Sequence, residues 1–89
     1  MSRAYRITYT QAAYQDLIKL GQLLADEVTA AIDAEITPDP HGGTSMERPL
    51  GGGRWDRVAL AGGWATVRYL VSDAPGIDPP MITVIRIIP

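Results

Sequence analysis

Eighty-nine residues, 46% of them hydrophobic and 20% charged, suffice for one domain around one core and are too few for two. The absence of cysteine excludes a disulfide scaffold, a thiolate zinc site and thiol catalysis, and one histidine, His41, provides no pair for a metal or a proton relay, so neither metal nor cofactor is expected. A formal net charge of -2 excludes a protein that grips nucleic acid with its whole surface.

That total hides an asymmetry. Residues 1–47 hold seven acids and three bases, a net of -4, whereas residues 48–89 hold three acids and five bases, a net of +2. Met1 to Arg6 shows no apolar run followed by small cleavage residues. Every apolar stretch falls short of the roughly 18 residues of a membrane span. A cytoplasmic protein without membrane contact is the expectation.

Residues 4–9 alternate Tyr5, Ile7 and Tyr9 against Arg6 and Thr8, which predicts a half-buried strand. Thr10 suits a helix N-cap, and Ala13, Leu17 and Leu20 follow at helical spacing until Gly21 stops them. Leu24, Val28, Ala31, Ile32 and Ile36 predict a second amphipathic helix, with Asp26, Glu27, Asp33 and Glu35 on its solvated side. Pro38 and Pro40 end it. Residues 38–53 read as loop. Three strands are expected next: Trp55 to Ala61, Trp64 to Val71 and Met81 to Ile88, separated by Gly62-Gly63 and by Pro75-Gly76 in a type II turn. The order β-α-α-β-β-β predicts an α+β domain over residues 1–89, its helical hairpin packed on one face of an antiparallel sheet.

Strand alternation then sorts the arginines. If Val67, Tyr69 and Val71 face the helices, Arg57, Arg68 and Arg86 are expected on the uncovered face, joined by Arg6 from the first strand, with Arg54 at the rim. With Trp55 and Trp64 beside them, such a face would suit recognition of phosphate or carboxylate with stacking. The alternative is strand residues turned to water and paired with Asp56, Asp73 or a loop acid. His41, in Pro-His-Gly-Gly, reads as an exposed loop side chain. Gly51 to Gly53 lack the Lys-Ser/Thr of a phosphate loop and read as backbone freedom before a strand. No carboxylate pair and no Ser/His/Asp arrangement is spaced for catalysis.

Several segments in this order resemble the RelE/ParE superfamily of type II toxin–antitoxin toxins. The opening Tyr5-Arg6-Ile7-Thr8-Tyr9-Thr10 with Ala13, Asp16, Leu17 and Leu20 is similar to the family's first strand and helix. Asp39-Pro40-x-Gly42 and Pro49-Leu50-Gly51 resemble its loop, Trp55 to Leu60 and Val67-Arg68-Tyr69-Leu70-Val71 its central strands, and Ile82 to Ile88 its last strand. The resemblance implies a cytoplasmic bacterial toxin that inhibits growth through translation or DNA gyrase and is neutralised by a cognate antitoxin. It also implies two alternatives, a ribosome-dependent mRNA endonuclease (mRNA interferase) and a non-toxic interaction module. In the endonuclease branch, basic residues on the sheet stabilise the phosphoryl group; Arg57 falls on such a position, with Arg68 and Arg86 as further candidates. Arg54, Trp55, Trp64 and Arg6 would bind. The sequence departs from that branch at Ala59 and Thr66, where it commonly has bases. Losing one donor to a developing oxyanion costs about 2.7–4 kcal/mol in barrier, so the resemblance implies a toxin more strongly than a nuclease.

Overall fold

Thr10 joins the first strand to the first helix in the computed structural model, which describes residues 4–89. Its backbone is still extended (ψ 164°), and its hydroxyl accepts the Ala13 N–H at 3.2 Å, satisfying one donor of the first helical turn. Strand β1 (Arg6–Tyr9) precedes it and helix α1 (Gln11–Leu20) follows. Gly21, at φ 86°, is the single residue between α1 and α2 (Gln22–Glu35), a conformation that a Cβ would strain. The expected hairpin of helices is present, and the chain leaves it before Pro38.

The remaining strands are β2 (Met46–Glu47), β3 (Asp56–Ala61), β4 (Ala65–Ser72) and β5 (Met81–Ile88). Their order across the sheet is β1-β5-β4-β3-β2. From β2 to β5 every neighbour is antiparallel, whereas β1 pairs with β5 in parallel, Arg6 beside Met81 through Tyr9 beside Val84. The helical pair carries the chain from β1 to β2 at the far edge of the sheet, and β3 and β4 bring it back to β5, which supplies the long connection that parallel pairing requires. Gly62 and Gly63, both at positive φ, turn β3 into β4, and Pro75 and Gly76 (φ 94°) form the turn closed by the Ile77 N–H on Ala74 O.

Both helices lie on one face of the sheet. Ala13 and Leu17 from α1, with Val28 and Ile32 from α2, are buried against Ala59, Ala61, Val67, Tyr69, Ile82, Val84 and Ile87. Strict alternation would put Val84 and Ile87 on opposite faces. They share the core because Ile85 bulges: Arg68 pairs with Arg86 while Tyr69 pairs with Val84. Beyond Val84, β5 has no β1 beside it. There Thr10 donates its N–H to Val84 O (2.9 Å) and its hydroxyl to Ile85 O (3.0 Å), and Asp16 accepts the Ile87 N–H (2.9 Å). The Thr10 backbone and the Thr10 and Asp16 side chains thus replace a missing strand.

No helix is long and apolar enough to cross a membrane among the described residues.

Candidate functional site

Arg57 stands where the expected alternation did not put it. It is the cross-strand partner of Tyr69, between Asp56 and Val58, and shares the helix-side face with Ala59, Ala61 and Tyr69. The expectation that Arg57 lies on the uncovered face fails, because alternation puts it on the same side as Ala59, which is core. Only 8% of Arg57 is exposed. Its Nε donates to Ser45 Oγ at 2.7 Å and its Nη1 to Arg54 O at 2.8 Å. The Ser45 and Tyr69 hydroxyls lie 2.6 Å apart, and both reach the Pro40 carbonyl, at 2.8 and 2.5 Å. Burial pushes the Tyr69 phenol up, so it stays protonated and a donor. Among the described residues no carboxylate comes within 4.0 Å of Arg57. A buried guanidinium held by neutral oxygens alone keeps most of its attraction for an anion.

Arg68 and Arg86 do lie on the uncovered face, directly opposite each other on β4 and β5. Both are near acids. Asp56, almost fully buried, takes a two-pronged contact from Arg48 (2.8 and 3.0 Å), accepts the Gly52 N–H, and lies 4.0 Å from Arg68 Nε. Arg48 holds its carboxyl below the usual range. Arg86 reaches past the sheet edge to Asp16, with contacts of 2.8 and 3.0 Å. That hydrogen bonding holds Asp16 below its ordinary value too. Arg57, Arg68 and Arg86 therefore do not form one cluster: the sheet itself separates Arg57 from the other two.

The tryptophans are also separated. Trp64 follows the Gly62-Gly63 turn and packs on the core next to Ala31, and Trp55 sits at the opposite end of β3, about 20 Å away along six residues of strand. Arg6 is exposed on β1, three strand positions from β3 and so about 14 Å across the sheet. Arg54 and Trp55 do come together. With His41, Ser72 and Asp73 they line a cleft of about 530 Å³ at the end of β4. His41 Nε2 lies 2.9 Å from Asp73 Oδ2, and the Tyr5 hydroxyl donates to the same oxygen at 3.0 Å. Burial pushes Asp73 up, but these two hydrogen bonds outweigh it and leave the carboxyl below its usual range. His41 is thus half-buried and paired, which corrects its reading as a free loop side chain.

Sequence reading missed Ser45, Tyr69 and the His41–Asp73 pair as site residues. The only signal for them was the Tyr among the otherwise aliphatic inward positions Ala65, Val67 and Val71 of its strand; a pair 32 positions apart leaves no local pattern. The described residues contain no group of three or more potential metal-ligating side chains.

No family model and no curated protein matches this sequence. Among solved structures, the chain is similar to one chain of the crystal structure of the toxin–antitoxin complex RelBE2 from Mycobacterium tuberculosis. The TM-score is 0.67 at 20% identity, over 94% of this chain and 95% of that one. At that identity the likeness concerns architecture: two helices on a five-stranded mixed sheet, an α+β domain with a RelE-like fold.

Proposed function

We propose that this protein is the toxin of a type II toxin–antitoxin pair, arresting bacterial growth through translation or DNA gyrase until a cognate antitoxin covers it. The observation that carries this reading is the end-to-end fold likeness to a chain of a toxin–antitoxin complex. Apolar side chains left outside the core, Ile18 and Leu23 on the helices and Leu60 and Ile88 on the sheet, are the surface such a partner would cover. The test is induced expression in bacteria, alone and together with the reading frame adjoining the gene. Growth arrest relieved by co-expression supports the proposal. Unimpaired growth sinks it and leaves a non-toxic interaction module.

Arg57 favours a second reading, ribosome-dependent cleavage of mRNA. Its guanidinium is preorganised by Ser45 and the Arg54 carbonyl and lacks a counter-ion among the described residues, as a group stabilising developing negative charge on a phosphoryl oxygen should be. Arg68 and Arg86 take no part in this reading, since they lie on the opposite face of the sheet beside Asp56 and Asp16. Cuts at codon-defined positions during arrest would establish this branch; an SOS response with intact mRNA would assign gyrase instead.

A further inference from the structure

The cleft at the end of β4 has a composition that the Arg57 network does not use. Trp55 is 47% exposed, yet its ring is seated rather than loose. A Cβ on Gly52 would meet the ring's Cζ2 and Cη2 at 2.5 and 2.6 Å, and one on Gly53 would meet its Nε1 at 3.2 Å. The glycine run thus permits the indole to rest directly on backbone, and no other residue fits at Gly52 without moving it. The same ring lines the 530 Å³ cleft, a volume within the roughly 300–1,000 Å³ of small-molecule sites. Arg54 lines it too; it is exposed and makes no ion pair within 4.0 Å among the described residues. Ser72 and the His41–Asp73 pair complete the polar wall.

We infer that this cleft binds one nucleotide unit, its base stacked on Trp55 and its phosphate on Arg54. A flat aromatic surface recognises any base, a guanidinium pairs with phosphate in a two-pronged geometry, and the Ser72 hydroxyl offers a partner for ribose or base. Asp73, already bonded by His41 and Tyr5, would repel a phosphate placed beside it, so the anion belongs on Arg54. The inference does not rest on toxicity. A free nucleotide and a nucleotide within an RNA strand share this chemistry.

The experiment follows the two indole N–H signals by NMR while the full chain is titrated with guanosine monophosphate, with ribose phosphate and with a short single-stranded oligoribonucleotide. The Trp55 signal should shift while Trp64, at the other end of β3, stays still. Ribose phosphate should bind about tenfold more weakly than the nucleotide, because it cannot stack. Trp55→Ala should weaken nucleotide binding about tenfold, and Trp55→Phe should recover part of it. Gly52→Ala, which keeps the indole but displaces it, should weaken binding in the same direction. Arg54→Ala should make guanosine and its monophosphate bind alike. Tighter binding of the oligonucleotide than of the mononucleotide assigns the site to a strand, and equal binding assigns it to free nucleotide; either result retains the site. The inference is overturned if no signal shifts at millimolar nucleotide, if Trp64 shifts as much as Trp55, or if Trp55→Ala binds nucleotide as well as the parent chain.

Discussion

Replacing Asp16 by alanine should destabilise the protein more than any other single change at a surface-reaching carboxylate. Asp16 has two jobs in the structure. It accepts the buried Ile87 N–H at 2.9 Å, where β5 has no neighbouring strand, and it pairs with Arg86 at 2.8 Å. The first job carries the energy: a buried N–H left without an acceptor costs about 1–3 kcal/mol. That is a large share of the roughly 5–15 kcal/mol available to a small domain. The ion pair contributes little, since Arg86 is half-exposed and screened by water. Three variants separate the two jobs by urea denaturation. Asp16→Ala should lower the transition midpoint strongly, Asp16→Asn less because its amide oxygen can still accept, and Arg86→Ala least. If Arg86→Ala costs as much as Asp16→Ala, the ion pair holds this edge and the account of a side chain replacing a strand is wrong. The acid response gives an independent check. The Asp16 carboxyl is depressed in the folded state, so its contribution is complete above its unfolded value near 3.9 and is lost as pH falls through the folded one. Asp16→Asn should therefore flatten the loss of stability on acidification below about pH 4.

Asp56 and Asp73 are depressed in the same sense, so the whole domain should lose stability on acidification through that range and not on moderate alkalinisation; thermal unfolding across pH measures it. Tyr69→Phe removes a fully buried hydroxyl that bonds Pro40 O and Ser45, and denaturation should show a loss of about 1–2 kcal/mol. Arg57→Ala should abolish growth arrest if mRNA is cleaved, with a rate loss of about 100- to 1000-fold in a ribosome assay; arrest unchanged by this variant, with the protein still folded, would remove Arg57 from the mechanism. Leu50, at φ 60° and fully solvent-exposed, gains nothing from its side chain within the fold, so Leu50→Gly should raise the melting temperature by a few degrees.

The elements that alternate or repeat were legible in the residues. Thr10 at the N-cap, Gly21 between the helices and the glycine turn at 62–63 act through their own backbone geometry, so each is visible locally. The short β2 was not, since Met46 and Glu47 are exposed and carry no period; only pairing with Val58 and Arg57 makes them a strand. The parallel β1–β5 pairing joins residues 75 positions apart, which no local pattern encodes.

Composition and periodicity were enough for an α+β fold with two helices on a sheet, an acidic helical half and a basic strand half, because burial of apolar faces follows side-chain spacing. The direction each arginine faces needed the folded chain. One bulged residue, Ile85, reverses the alternation of β5, and one small core residue, Ala59, draws Arg57 to the helix side while Arg68 and Arg86 stay on the other. A shift of one position inverts which face a strand residue occupies, and the pairing that resolves it is a property of neighbouring strands rather than of the strand alone.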